Sequence, residues 1–150
     1  MKNKVPPPVI LLLAGVLMWL IARSSFAYTI DVPFAVVIAL LLAVAGVAVA
    51  ALAIRQFGRA ATTVNPLQPD AATTLVDSGI FAITRNPMYL GLLLVLSGWA
   101  VWLQSVTAVV VLAGFVLCIN TLQIKPEEQA LQKIFGAAYA EYCSRVRRWI

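Results

Sequence analysis

The sequence predicts an all-α integral membrane protein of about four transmembrane helices, closed by a C-terminal amphipathic helix at the membrane interface. Three observations carry that prediction. Hydrophobic residues make up 62% of the 150-residue chain and charged residues only 11%, whereas a soluble domain is about half apolar and about a quarter charged. Several apolar runs approach the roughly 20 residues that a membrane-crossing helix needs. Between them, the basic residues gather in alternate segments. Little chain remains for a second domain, so residues 1–150 read as one membrane domain, with two scaffold spans in 1–55 and a cofactor-binding, catalytic half in 56–150.

The first run, Val9 to Ala22, follows Lys2, Lys4 and Pro6-Pro7-Pro8. Its positive start fits a signal peptide, but further spans follow and Val5 extends it to anchor length, so it reads as a span. Val32 to Ile54 is the clearest span and carries no charge. Its small residues Ala39, Ala43, Gly46, Ala50 and Ala53 fall near one helical face, as in helices that approach closely in lipid. Arg55 to Thr84, with Pro66, Pro69, Asp70, Asp77 and Gly79, is a polar interruption of the length that is usually functional or disordered. Pro87 to Gln104 and Ser105 to Ile124 have no charge between Arg85 and Lys125 and form a tight hairpin of two more spans. From Pro126 to Tyr142, Leu131, Ile134, Phe135, Ala138 and Tyr142 recur at helical spacing, the pattern of one amphipathic helix at the interface. Arg145, Arg147, Arg148 and Trp149 then make a basic, aromatic end suited to lipid headgroups; a solvated tail fits the charges alone equally well.

Four spans put the N-terminus, the middle loop and the C-terminus on one side. Those segments hold ten of the eleven basic residues, leaving Arg23 on the other. The positive-inside rule places that side in the cytoplasm, which in a bacterium means the inner membrane. The same bias accounts for the net charge of +5, so no nucleic-acid partner is implied.

Histidine is absent, which removes the commonest general base. Cys118 and Cys143 stand apart without the spacing of a metal site, so no metal is expected. Two clusters on the cytoplasmic side could carry chemistry. In Thr84-Arg85-Asn86-Pro87-Met88-Tyr89-Leu90-Gly91, Asn86 reads as the N-cap and Pro87 as the first residue of the third span, while Arg85 beside a helix N-terminus favours an anion. In Lys125-Pro126-Glu127-Glu128, both acids suit a first helical turn. Glu127 nonetheless shares the stripe of Leu131 and Phe135, and an ionisable group facing the interior of a membrane bundle usually marks function.

The stretch Thr74 to Phe81, the Arg85-Asn86-Pro87-Met88-Tyr89-Leu90-Gly91 run, Glu127-Glu128, Phe135-Gly136, Tyr139, Tyr142 and the closing Arg145-Val146-Arg147-Arg148 together resemble the isoprenylcysteine carboxyl methyltransferase and phospholipid methyltransferase superfamily, over roughly residues 70 to 150. The resemblance implies S-adenosylmethionine on the cytoplasmic side, under a pocket open to membrane lipids, and a lipophilic small-molecule methyl acceptor. By position it puts Thr74, Leu75, Val76, Phe81, Arg85, Asn86, Pro87, Met88, Tyr89 and Glu127 at the cofactor, with Tyr89 and Glu127 nearest the chemistry. Phe81 falls where carboxyl methyltransferases of the superfamily have tyrosine, and Asn86 where many members have histidine. Gln123 occupies the place of a substrate-binding arginine. A neutral amide cannot make that arginine's bidentate pair with a carboxylate, which argues against a prenylcysteine substrate. A reading from another class, a non-enzymatic small transporter subunit or assembly factor, fits the chain's brevity and the lack of an obvious base. A transporter would carry polar residues at mid-span, and spans two and three have almost none.

Overall fold

A computed structural model describes residues 5–59 and 74–150, all helical apart from turns. Expectations that touch Lys2, Lys4, Pro66, Pro69 and Asp70 lie outside the described residues. Helix α1 covers Pro7–Ala22 and α2 covers Ala35–Arg59. A short 3₁₀ turn at Gly79–Ala82 leads to α3, Pro87–Trp102. Helix α4, Ala108–Ile119, passes through a π-helical turn, Asn120–Ile124, into α5, Lys125–Phe135; α6 is Ala137–Arg145.

Pro7 and Pro87 each sit in the first turn of their helix, where a missing N–H costs nothing. Among the described residues two helices are long and apolar enough to cross a membrane: α2, and the continuous 28-residue rod Ala108–Phe135. Only 11% of the most apolar window of α2 is buried, which excludes the core helix of a soluble protein and leaves a face suited to lipid. Helices α1 and α3 are apolar but have 16 residues each, about 24 Å of rise.

Three of the predicted boundaries need correction. Helix α2 starts three residues later than expected and runs through Arg55 to Arg59, because nothing in Arg55-Gln56-Phe57-Gly58 breaks a helix and Phe57 has a ring to pack against, Phe81, with centroids 4.9 Å apart. Pro126 does not separate the fourth span from the tail: lying in the first turn of α5, it is absorbed by the π turn that precedes it. The tail is two helices rather than one. Gly136 adopts φ +51°, a conformation that side chains disfavour, and there the chain turns from α5 into α6. The predicted stripe does not hold across Gly136: Ile134 and Ala138 are exposed, and Tyr139 and Tyr142 are the buried residues of α6.

The small-residue face of α2 is the packing face, as expected. Ala35, Ala39, Gly46 and Ala53 are buried, and α2 packs chiefly on α3. The contact centres on two glycines: a Cβ on Gly91 would lie 2.5 Å from the Gly46 carbonyl oxygen, and one on Gly46 equally close to that of Gly91. Helix α1 packs on α3 and α4, burying Ala14 and Met18 among Leu96, Ala108, Val111, Phe115 and Ile119. In hydrocarbon, shape-matched contact of this kind holds helices together without a hydrophobic drive.

The α3–α4 hairpin turns at Gln104, whose φ is +51°. An isolated antiparallel bridge between Thr29 and Ser105 ties it to the α1–α2 connection, with Ile30 N donating to Gln104 O and Val106 N to Tyr28 O. The opposite end of the bundle gathers the starts of α1 and α3, the end of α2, and α5, α6 and the C-terminal segment.

Replacing Gly91 by alanine should therefore cost about 1–3 kcal/mol through overpacking and lower the melting temperature in detergent. At Gly114 an added Cβ meets nothing within 4 Å, so Gly114→Ala should leave stability unchanged or raise it by up to about 1 kcal/mol. Equal melting temperatures for the two variants would contradict the α2–α3 contact.

Candidate functional site

At that end of the bundle the two sequence clusters meet. The hydroxyl of Tyr89, buried in the first turn of α3, donates to Glu127 Oε1 on α5 at 2.5 Å. Glu127 points inward, as its place on the apolar stripe predicts. Glu128, one residue on, faces the other way and is held by two arginines. Arg148 grips it side-on, Nε to Oε1 at 3.0 Å and Nη2 to Oε2 at 2.6 Å, the fork geometry that makes Arg–carboxylate pairs strong. Arg85 Nη1 lies 3.3 Å from the same Oε1 and also donates to Cys143 Sγ on α6. The Arg85 Nε is buried and has no acceptor among the described residues.

The last residues lie across the start of α3. Arg85 N donates to Arg147 O at 3.1 Å, Asn86 Nδ2 to Arg148 O at 2.9 Å and Thr84 Oγ1 to the same carbonyl at 3.4 Å. Asn86 occupies the N-cap position of α3 without capping it through its side chain, because that side chain serves the C-terminal segment instead. Trp149 donates its indole N–H to Asn120 Oδ1 and packs on the apolar core. The expectation that the basic, aromatic end serves headgroups therefore needs correction at Arg148 and Trp149, which bind the protein itself. Arg145 makes only exposed contacts, to Asp77 at 3.5 Å and Glu141 at 3.9 Å, of a kind that contributes little.

The remaining predicted residues divide. Pro87 is buried and Met88 half-buried beside Tyr89. Phe81 is buried against Phe57, and its carbonyl accepts the Tyr142 hydroxyl at 2.8 Å. Leu75 packs on the cluster of Tyr139, Tyr142 and Val146; Val76 is half-buried and Thr74 exposed. Gln123 lies in the π turn, one turn before Glu127, fully buried. Its Nε2 donates to the Val5 carbonyl at 2.6 Å, while its Oε1 has no partner. A π turn inside a helix often accompanies a functional site.

A cleft of about 510 Å³ opens between α5 and α6, with Arg85, Lys125, Glu128, Gln129, Tyr139 and Cys143 in its walls. Burial pushes the Tyr139 and Tyr142 hydroxyls well above the usual tyrosine range, so both stay neutral donors. The hydrogen bonds to Glu128 raise the Arg148 guanidinium above its ordinary value. The sequence reading named Arg148 and Tyr139 within the resemblance without giving either a role in the site, and gave Cys143 none. Arg148 follows the last helix and has no helical phase to show which way it faces. Cys143 offers no spacing signal, and Tyr139 entered only through the resemblance. No three His, Cys, Asp or Glu side chains cluster as a metal site among the described residues.

An all-helical bundle with exposed apolar helices, and a polar knot joining two distant motifs at one end, is the architecture of a membrane protein. Residues 34–138 match the family described as Phospholipid methyltransferase, and the chain belongs to that family of membrane methyltransferases. An uncharacterized protein of Haemophilus influenzae is 44% identical over 63 residues, which is 42% of this chain and 100% of the relative. The Protein-S-isoprenylcysteine O-methyltransferase B of Arabidopsis thaliana is 32% identical over 89 residues, 59% of this chain; the chain spans 45% of that relative's length. No solved structure matches it significantly.

Because Tyr142 alone among the described residues supplies a side-chain donor to the Phe81 carbonyl, Tyr142→Phe should leave a buried acceptor unpaired and cost about 1–3 kcal/mol. Chemical or thermal denaturation in detergent measures it. A loss below a few tenths of a kcal/mol would show that α6 is not docked through this bond.

Proposed function

We propose that the protein is an S-adenosylmethionine-dependent methyltransferase acting on a lipophilic or amphiphilic small molecule at the membrane. In this reading the chain makes four spans, with both ends and the cofactor site cytoplasmic; residues 1–55 are scaffold and substrate wall, and residues 56–150 are the catalytic half. One observation supports it above the others: the Tyr89–Glu127 hydrogen bond, which joins two motifs 38 residues apart beside a polar cleft.

The residues present fit the cofactor. Its carboxylate suits Arg85, whose buried Nε is a donor without an acceptor, and the neighbouring Lys125. Its amine and hydroxyls suit acceptors such as Glu127 and the glutamines of the cleft. Thr74, Leu75, Val76, Asn86, Pro87 and Met88 complete the wall that the family resemblance assigns. When bound, the cofactor supplies an electrophilic methyl group on a sulfonium centre. The Tyr89 ring offers cation–π attraction to positive charge near it, and its hydroxyl fixes the orientation of Glu127. Glu127 positions the cofactor or a polar group of the acceptor, and the packed spans exclude water, so orientation is the chief contribution of the protein. Gln123 takes the substrate side, where a neutral amide suits a neutral or donor-bearing acceptor better than a carboxylate.

Calorimetric titration of the detergent-purified protein with S-adenosylmethionine, or its demethylated product, tests this. Glu127→Gln should weaken binding tenfold or more, on the order of 1.4 kcal/mol, with the melting temperature preserved. Glu128→Gln should do the reverse, lowering the melting temperature through release of Arg148 and Arg85 while changing affinity clearly less. No binding by folded protein would refute the enzyme reading, and a larger affinity loss for Glu128→Gln would reassign the ligand carboxylate.

A further inference from the structure

At the end of the bundle opposite Tyr89 and Glu127, a second cavity of about 550 Å³ lies between α1, α2 and α3. Its floor is made by small residues, Gly15 on α1, Ala39 and Ala43 on α2 and Gly98 on α3, and its walls are leucine, valine and tryptophan. No charged side chain lines it. It ends at Ala43 and Val95, before the Gly46–Gly91 contact closes α2 on α3. Leu96, in its wall, is seven residues from Tyr89, about 10 Å along α3, so the groove stands apart from the polar cleft.

The mouth of the groove is aromatic and cationic. Trp19 and Trp102 are partly exposed there, and Trp99 stacks on Trp102 while its indole N–H is satisfied by the Gly15 carbonyl at 3.0 Å. Tryptophans so placed mark the headgroup level of a bilayer. The Arg23 guanidinium sits 4.5 Å above the Trp19 ring, exposed, and makes no ion pair among the described residues. An apolar slot with one unpaired cation at its headgroup-level rim is complementary to an amphiphile with a negative head. A helix of a second copy would be a poorer occupant, because α1, α2, α3 and α4 carry no carboxylate to meet Arg23; Asp31 lies in the α1–α2 connection, outside the helices.

We propose that this groove is a binding site for an anionic phospholipid of the leaflet opposite the polar cleft, with one acyl chain between α1, α2 and α3 and the phosphate on Arg23. Such a site staples α1, which has few polar contacts of its own, to the α2–α3 pair. It does not depend on the methyltransferase reading.

Two variants separate the parts of the site. Arg23→Gln removes the cation from an exposed position. Gly15→Leu fills the slot, because a Cβ at Gly15 meets nothing within 4 Å, and it leaves the carbonyl that receives Trp99 in place. Native mass spectrometry of the full chain, released from detergent with phosphatidylglycerol or phosphatidylcholine of equal chain length, reads retention directly. Wild type should retain phosphatidylglycerol over phosphatidylcholine by about fivefold, the effect of one basic residue at a lipid surface. Arg23→Gln should lose that preference, and Gly15→Leu should lose retention of both lipids. Phosphatidylglycerol should raise the melting temperature of wild type and not of Arg23→Gln, a readout that holds even if the Gly15 variant folds poorly. Equal retention of phosphatidylglycerol by wild type and Arg23→Gln would overturn the headgroup assignment. Undiminished retention by a folded Gly15→Leu would overturn the groove.

Discussion

The Glu128 carboxylate, gripped by Arg148 and Arg85, is the interaction on which this end of the bundle, where the starts of α3 and α5 meet, depends. It links three elements through charged side chains: the run before α3, the first turn of α5, and the segment after α6. With Arg148 fixed, its carbonyl meets Asn86 and Thr84, and Arg147 meets the Arg85 amide. Since Glu128 is turned toward the arginines, its neighbour Glu127, about 100° away around the helix, is turned toward Tyr89. The pair of acids thus divides its labour by geometry. One is consumed in holding the structure, and the other is presented to the interior.

At the edge of a bilayer this arrangement follows from the solvent. Polar groups near hydrocarbon must find partners within the protein, and charges there are costly unless paired. Arg85, Glu128 and Arg148 satisfy one another, and the C-terminal carbonyls take up Thr84 and Asn86. Among the described residues two buried groups find no partner, Arg85 Nε and Gln123 Oε1, a donor and an acceptor at the same end of the bundle. In a native structure such orphans call for an explanation, and a ligand that supplies both an anion and a donor is the one the family membership favours.

Much of this was legible in the residues. Hydropathy located the apolar helices, Pro87 marked the start of α3, and the small residues of α2 marked its packing face, while α1 starts at Pro7, two residues before the apolar run at Val9. The phase of Glu127 against Leu131 and Phe135 pointed it inward before any contact was visible. What the residues hid has physical reasons. The apolar spacing runs through Gly136 in the sequence, so only the glycine's conformational freedom hinted at a break, and in the structure Ile134 and Ala138 of that spacing are exposed while Tyr139 is buried. Asn86 satisfies the rules for an N-cap, yet a tertiary contact with the Arg148 carbonyl outcompetes the local one. Arg148 and Trp149 look like lipid-facing residues by composition, and only the fold shows that they reach Glu128 and Asn120.

In the proposed function the run around Tyr89 and the turn around Glu127 form one cofactor site. Ultraviolet cross-linking of methyl-labelled S-adenosylmethionine to the detergent-purified full chain, followed by peptide mapping, is the decisive test. The label should fall on peptides containing Arg85 to Gly91 and Lys125 to Phe135, both competed by the demethylated product. Label confined to α1 or α2, or label that excess product does not displace, would contradict it.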